Sequence, residues 1–150
     1  MRRFLTFATC LFLGVLLLPS HAHRSTVTEP NFAPADGLAD HMEGLKSNLK
    51  GVAMALQGSD AETALGHLGE MQRLVLLAKL ELPPNLDEQP ERERDAHAKE
   101  FRKGLVRVLQ ELAGMELELL DGEFEEAFAR VTGSLYTLRE SSHDKFKRAE

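Results

Sequence analysis

Two side chains of this sequence have the chemistry to bind one iron atom from opposite sides. They are the thioether of Met42, in the first third of the chain, and the imidazole of His143, in the last third. A six-coordinate haem iron takes an axial ligand of this kind on each face. Arg139 precedes His143 by one helical turn, so its guanidinium can pair with a haem propionate. On residue type alone, a methionine in a helical stripe is more often core filler, and a terminal histidine is more often solvated.

Four amphipathic helices are predicted to position these side chains. Apolar residues recur at alternating spacings of three and four, the pattern of a helix with one buried face. The stripes run over residues 38–56, 65–82, 98–119 and 124–146. Gly58, the Pro83-Pro84 pair, an acidic connection over residues 85–94 and the Asp121-Gly122 pair separate them. Ser59 and Glu62 have the spacing of a capping box, which predicts the start of the second helix.

No segment alternates like a strand, so the sequence predicts an all-α fold, an antiparallel up-down-up-down four-helix bundle with short connections. In this bundle the start of the first helix lies at the same end as the close of the fourth. Met42 is about two turns into the first helix and His143 just over one turn from the end of the fourth, so their depths agree within about one turn. Pro83 and Pro84 close that end, and Phe101 enters it from the third helix.

The N-terminal residues are typical of a cleaved export signal. A basic start is followed by an apolar run over residues 4–18 and by small residues at a cleavage point after Ala22. The apolar run is about 15 residues, short of the roughly 20 that span a bilayer, so we expect no membrane attachment after cleavage. We therefore assign residues 1–22 to the signal peptide, 23–35 to a flexible polar leader and 36–150 to the bundle.

Charge and cysteine content exclude several classes of function. The chain has a formal net charge of −6 and a single cysteine, Cys10, which lies inside the predicted signal. The mature chain therefore cannot form a disulfide, a thiolate nucleophile, an iron–sulfur cluster or a covalent haem attachment. An acidic chain is also poorly suited to bind the negatively charged phosphate backbone of a nucleic acid, so we expect no nucleic-acid partner.

Four blocks of sequence, in order, resemble the soluble cytochrome b562 family. They are residues 40–50 (DHMEGLKSNLK), 83–86 (PPNL), 101–104 (FRKG) and 135–147. The resemblance covers about residues 36–148, and it places Met42 and His143 on the family's axial ligands and Arg139 on its propionate-side arginine. It also implies that haem is lined by apolar side chains, which are Leu45, Leu49, Met71, Pro83, Pro84, Phe101 and Leu105.

The resemblance implies a periplasmic b-type cytochrome that binds haem b without a covalent bond. An iron with both axial positions filled has no free position for a substrate, so we expect an electron carrier and not an enzyme. Its partners are then haem and a redox protein that the sequence does not identify. The acidic runs over residues 87–95 and 116–126 are most simply solvated faces, although they also suit a basic redox partner. We expect a monomer or a weak dimer.

Two other interpretations remain open on the sequence. The first is a haem-free, exported helical bundle that binds a protein partner. The second is a transition-metal site formed by His41, His97 and His143 at one end of the bundle. The helical period turns His41 about 100° away from Met42, so we expect it to be solvated. We also expect His97 to be exposed and His67 to be structural or exposed.

Overall fold

The structure, a computed structural model, describes residues 37–147, and these residues are helical with no strand. The helices are α1 (Leu38–Gln57), α2 (Ala61–Ala78), a short 3₁₀ turn (Leu86–Glu88), α3 (Glu91–Asp121), α4 (Phe124–Arg130), a π-helical segment (Val131–Leu135) and α5 (Tyr136–Phe146). α4, the π segment and α5 follow one another without a break and together form the fourth helix. The predicted signal peptide and leader lie outside the described residues.

The predicted all-α helical bundle is confirmed, and its core is built from the stripes read in the sequence. α1 packs on α2, α2 on α3, and α3 on both α4 and α5, while α1 also contacts α4. The largest fully buried side chains come from α1, α2 and α3, and they are Leu68, Leu74, Leu112, Met115, Val52, Val75 and Asn48. Burial of these apolar side chains supplies the main stabilising free energy, about 1.5–3 kcal/mol for each large residue.

The cap of α2 lies one residue later than the sequence predicted. Asp60 is the N-cap, and its carboxylate accepts hydrogen bonds from the Thr63 backbone N–H (3.0 Å) and hydroxyl (2.7 Å). The Thr63 backbone hydrogen bond holds the pKa of Asp60 below its ordinary value. Ser59 instead takes the left-handed conformation (φ 54°) within the turn. The predicted capping box of Ser59 and Glu62 is therefore wrong.

α2 also ends earlier than its apolar stripe suggested. The helix stops at Ala78, and residues 79–82 form a turn in which Leu80 and Leu82 are 77% and 63% exposed. A proline disfavours the helical conformation of the residue before it, so Pro83 prevents Leu82 from continuing the helix. The turn carries the chain from α2 into the buried Pro83 and Asn85.

The π-helical segment sets the rotation of the last helix. It begins after Arg130, whose Nη1 lies 2.9 Å from Glu111 Oε2, and it contains Ser134, whose hydroxyl donates to the same oxygen at 2.6 Å. Both contacts tie the segment to α3. A π turn accommodates an additional residue, so it turns everything that follows relative to α4. The face that α5 presents, with Arg139 and His143 on it, therefore depends on this segment.

Candidate functional site

The two proposed iron ligands lie on separate helices, and the fold does not use either donor atom. Met42 lies in the second turn of α1, partly buried, and packs against the hydrophobic core. His143 lies near the end of α5 and is exposed. Its imidazole makes no hydrogen bond within residues 37–147, and its backbone carbonyl accepts one from the Lys147 backbone N–H (3.0 Å). Both donors are thus available to a ligand.

The helices that carry these donors are packed on other partners. α1 packs closely on α2, and α5 packs on α3, whereas α1 and α5 are not a closely packed pair. The partial exposure of Met42 and the exposure of His143 follow from this arrangement. A ligand that contacts both Met42 and His143 would therefore cover side chains that are partly or fully exposed in this structure.

A buried asparagine anchors the end of α5. Asn85, in the connection after α2, donates from Nδ2 to the Lys145 carbonyl (3.1 Å), and its Oδ1 lies 2.8 Å from His97 Nε2. Because the amide oxygen can only accept, His97 Nε2 carries a proton in this hydrogen bond. Asn85 therefore joins the α2–α3 connection, the start of α3 and the last turn of α5.

Aromatic packing reinforces this anchor. Phe146 meets Phe101 edge-to-face at a centroid distance of 5.2 Å and His97 at 5.1 Å. Phe101 and Phe146 are both buried. The predicted exposure of His97 is therefore wrong, because the last residue of α5 and the Asn85 amide cover part of its ring. Asn85 had been singled out in the sequence as part of a motif, but its role as an anchor was missed.

The other predicted lining residues lie in or beside the core. Leu45 and Leu49 are partly buried on α1, on the same stripe as Met42. Met71 on α2, and Phe101 and Leu105 on α3, are buried. Pro83 is buried and Pro84 exposed at the end of the α2 turn. These positions supply apolar side chains from three helices and one connection.

Arg139 is available for a ligand with negative charge. Its guanidinium lies 3.5 Å from the neighbouring Glu140 carboxylate, and the two side chains are 55% and 50% exposed. A surface pair of this kind contributes little to stability, about 0–1 kcal/mol. Arg139 lies one turn before His143 on α5, as the sequence predicted, and its charge serves no buried ion pair.

The three-histidine metal site is not formed. His41 is only 4% exposed, and its Nδ1 has no hydrogen-bond partner in the described residues. Its predicted exposure is wrong because its helix face is covered by α2: a Cβ on the nearby Gly44 would lie 2.8 Å from Leu74 Cδ1. His97 is held by Asn85. Within residues 37–147 no cluster of three or more histidine, cysteine or acidic ligands is arranged to bind a metal.

A comparison with models of protein families identifies the family of this chain. A family model described as cytochrome b562 matches residues 37–147, the whole of the described region. The chain belongs to the cytochrome b562 family. A search of curated proteins finds no match to the chain. Cytochrome b562 membership indicates a b-type haem-binding electron carrier. In the described residues no helix is long and apolar enough to cross a membrane.

The residues present fit the group that the cytochrome b562 family binds. A thioether and an imidazole, neither of them hydrogen-bonded in the described residues, are the donor types of an axial pair for haem iron. The apolar side chains beside Met42 suit the porphyrin faces, and the exposed Arg139 suits a propionate.

Proposed function

We propose that this chain is a periplasmic electron carrier that binds haem b without a covalent bond between α1 and α5, with Met42 and His143 as axial ligands. The proposal is supported by two donor side chains, neither of which makes a hydrogen bond in the described residues, on helices that pack closely on other partners and not on each other. Membership of the cytochrome b562 family supports the choice of haem.

The proposal includes an up-down-up-down order of the four helices. Two sets of contacts support it. Gly44, near the start of α1, lies against Leu74 on the last turns of α2. Asn85 and His97 then join the connection after α2 to the start of α3 and the end of α5. The first and last helices would thus present Met42 and His143 at the same end of the bundle.

Each residue of the proposed site has a defined role. Bound haem would supply a one-electron ferric–ferrous couple. Met42 would offer the iron a neutral, soft sulfur, which favours the ferrous state, and His143 would offer it an imidazole nitrogen. Together they leave no position for a substrate. Leu45, Leu49, Met71, Phe101 and Leu105 exclude water from the porphyrin faces, with Pro83 and Pro84 at the closed end. Arg139 pairs with a propionate at the rim.

The location and the partner follow from the sequence. Cleavage after Ala22 would release the bundle into the periplasm with a chain more acidic than the full −6, since Arg2 and Arg3 are lost. Most acidic side chains of the runs over residues 87–95 and 116–126 are exposed. A redox protein with a basic face would be steered to such a surface, at a rate that falls with ionic strength.

Purification of the exported protein tests the proposal. We expect a processed chain that begins at His23, one haem per chain and a sharp low-spin visible spectrum. The apo-protein should take up added haem with the same stoichiometry. A colourless protein that refuses added haem would contradict the proposal and favour a haem-free bundle that binds a protein partner.

A further inference from the structure

The fourth helix contacts α3 at two separate places, one on each side of the end of the π segment. At the first place, the Ser134 hydroxyl and the Arg130 guanidinium both lie on Glu111 Oε2 of α3, at 2.6 and 2.9 Å. At the second place, a Cβ built on Gly104 of α3 would lie 3.7 Å from Ser142 Oγ on α5. The two contacts together determine how the fourth helix is rotated against α3.

Both places lie on one face of α3, so the fourth helix has to turn the same side to both. Glu118, which accepts from Arg130 at 2.6 Å, lies seven residues from Glu111, and Gly104 lies seven residues beyond it, close to two helical turns each time. Arg130 and Ser142 are twelve residues apart. A regular α-helix turns by about 100° per residue and would set these two about 120° apart. The π segment between them accommodates one additional residue and reduces this angle to about 20°.

α5 is the part of the fourth helix that would rotate without the π turn. The buried side chains before α5 are Ala127, Val131 and Leu135. In α5 itself only Phe146 is buried among the described residues. Because α5 has the weaker hold on the core, a regular helix would keep α4 in place and turn α5 by about 100°. That rotation would carry Ser142 away from Gly104, and His143 and Arg139 would turn with it.

Glu111 holds the π turn from the side of α3. Its Oε2 accepts from Arg130, directly before the π segment, and from Ser134 within it, so one carboxylate oxygen bridges the turn. Gly114 lets the guanidinium lie on α3, because a Cβ at this position would come within 2.9 Å of Arg130 Cζ. Glu111, Arg130 and Ser134 are all partly buried, so solvent screens these contacts less than it screens a surface pair.

We propose that Ser134 and Glu111 are positioning residues for His143. By holding the π turn they set the rotation of α5 at which His143 and Arg139 bind haem, and they act through the helix and not by contact with haem. The role toward haem rests on the proposed function. The rotation of α5 does not, so it can be measured in the apo-protein.

A cross-link between α3 and α5 measures the rotation of α5 without haem. Cys10 is the only cysteine and lies in the predicted signal peptide, and Gly104→Cys with Ser142→Cys brings two thiols close enough for a disulfide. Deletion of Gly133, an exposed residue of the π segment, removes the additional residue, so the helix becomes regular and the cross-link should still form. Deletion of Thr132 and Gly133 together is the matched control. It turns α5 by about 100° and should lose the cross-link, while circular dichroism shows whether each protein stays helical.

Haem binding tests the positioning role of Ser134. Ser134→Ala should lower the extent of cross-linking and raise the dissociation constant for haem about fivefold, with partial loss of the low-spin spectrum. Thr132→Ala is the control, because the Thr132 hydroxyl bonds to carbonyls of its own helix, and it should change neither. Deletion of Gly133 in the Ser134→Ala variant should restore both, since a regular helix reaches the same rotation without the hydroxyl. A general loss of stability would not be rescued in this way.

The same experiments name the results that would overturn the proposal. They are equal loss of the cross-link after the one-residue and two-residue deletions, a Ser134→Ala variant that cross-links and binds haem like the wild type, and a Gly133 deletion that fails to rescue Ser134→Ala. A wild-type protein that follows the expected cross-linking pattern but takes up no haem would contradict the proposed function and still support the rotation of α5 by the π segment.

Discussion

The imidazole of His67 on α2 lies directly over Gly51 on α1. A Cβ built on Gly51 would come within 2.6 Å of the ring Cδ2 atom, so only glycine leaves room for the ring. The ring Nδ1 lies 2.8 Å from Asn48 Oδ1, and the Asn48 amide donates to the Gly44 carbonyl (2.9 Å). A buried polar contact therefore fixes the packing of α1 on α2, and His67 has the structural role that the sequence allowed.

Gly51→Ala should destabilise the protein. Alanine gains about 1 kcal/mol over glycine in a helix, but overpacking against His67 costs about 1–3 kcal/mol. We expect a net loss of about 1 kcal/mol in the free energy of unfolding, measured by chemical denaturation of the apo-protein. Gly69→Ala is the control, because Gly69 is exposed on α2 and its Cβ would meet nothing within 4 Å. That variant should gain up to about 1 kcal/mol. Equal effects of the two substitutions would contradict the close approach of His67.

The sequence predicted the stripes well because burial of one helix face leaves a direct trace in residue spacing. The break at Gly122 was predicted for a similar reason: its φ of 80° is one that glycine adopts at little cost. His41 was mispredicted because periodicity identifies one buried face, whereas α1 is covered on a second face by α2.

Other features leave no trace that spacing can detect. Val131, Leu135 and Leu138 follow at intervals of four and three, which an α-helix also allows, so the π segment was invisible in the pattern. Asn85 acts across the fold on Lys145, and no local pattern predicts such a contact. The candidate ligands themselves became specific only through the order of four motifs, since neither residue type points to haem by itself.

Asn85→Ala should loosen the end of α5. The substitution leaves the Lys145 carbonyl and His97 Nε2 without their partner, at a cost of about 1–3 kcal/mol. We expect faster hydrogen exchange in the last turn of α5 and weaker haem binding, although Asn85 is a positioning residue and not a ligand. Ser141→Ala, which removes only a hydroxyl contact to the Leu138 carbonyl within α5, should change neither. Uniformly faster exchange over all helices would instead indicate a general loss of stability.

Low pH should weaken the contacts through which Glu111 on α3 holds the π segment. The Ser134 hydroxyl, and then the Arg130 guanidinium, hold the pKa of Glu111 below its ordinary value of 4.5. A pKa that is lower in the folded state stabilises the fold above the unfolded value, and this contribution is lost as pH falls through the folded value. Glu111→Gln should therefore lower stability at neutral pH and flatten its decline below about pH 5. Glu125→Gln, at an exposed carboxylate of α4, should show the wild-type profile. Identical acid profiles of wild type and Glu111→Gln would refute this role.

Arg139→Leu should weaken haem retention modestly. The side chain is 55% exposed, so a single propionate contact at the rim is worth about two- to fivefold in the dissociation constant. Arg139→Lys should retain most of the wild-type haem affinity, because it keeps the positive charge. Haem with esterified propionates should bind the wild type and Arg139→Leu equally. If Arg139→Leu binds native haem as well as the wild type at low salt, Arg139 is only a surface charge.

Removal of the proposed thioether ligand should change the coordination and the reduction potential of the haem iron, and leave the fold unchanged. Met42→Ala should leave a protein that still takes up haem, with a five-coordinate or water-ligated spectrum and a lower reduction potential, because the neutral sulfur favours the ferrous state. Met54→Ala is the matched control on the same helix, with a side chain 62% exposed. It should keep the wild-type spectrum and potential. An unchanged spectrum and potential in Met42→Ala would remove Met42 from the site.

The most direct test is the haem affinity of His143→Ala, measured beside the thermal stability of the apo-protein. His143 is exposed and makes no hydrogen bond from its ring within the described residues. The thermal stability of the apo-protein should therefore differ from that of the wild type only by the small amount typical of surface substitutions. Haem affinity should fall steeply with the loss of the low-spin spectrum. In the wild type, haem at one hundred times its dissociation constant should stabilise the fold by about 2.7 kcal/mol. The difference in stability between the protein with and without haem should be smaller in the variant. A variant that binds haem like the wild type but unfolds more readily as apo-protein would show that His143 is structural and would contradict the account.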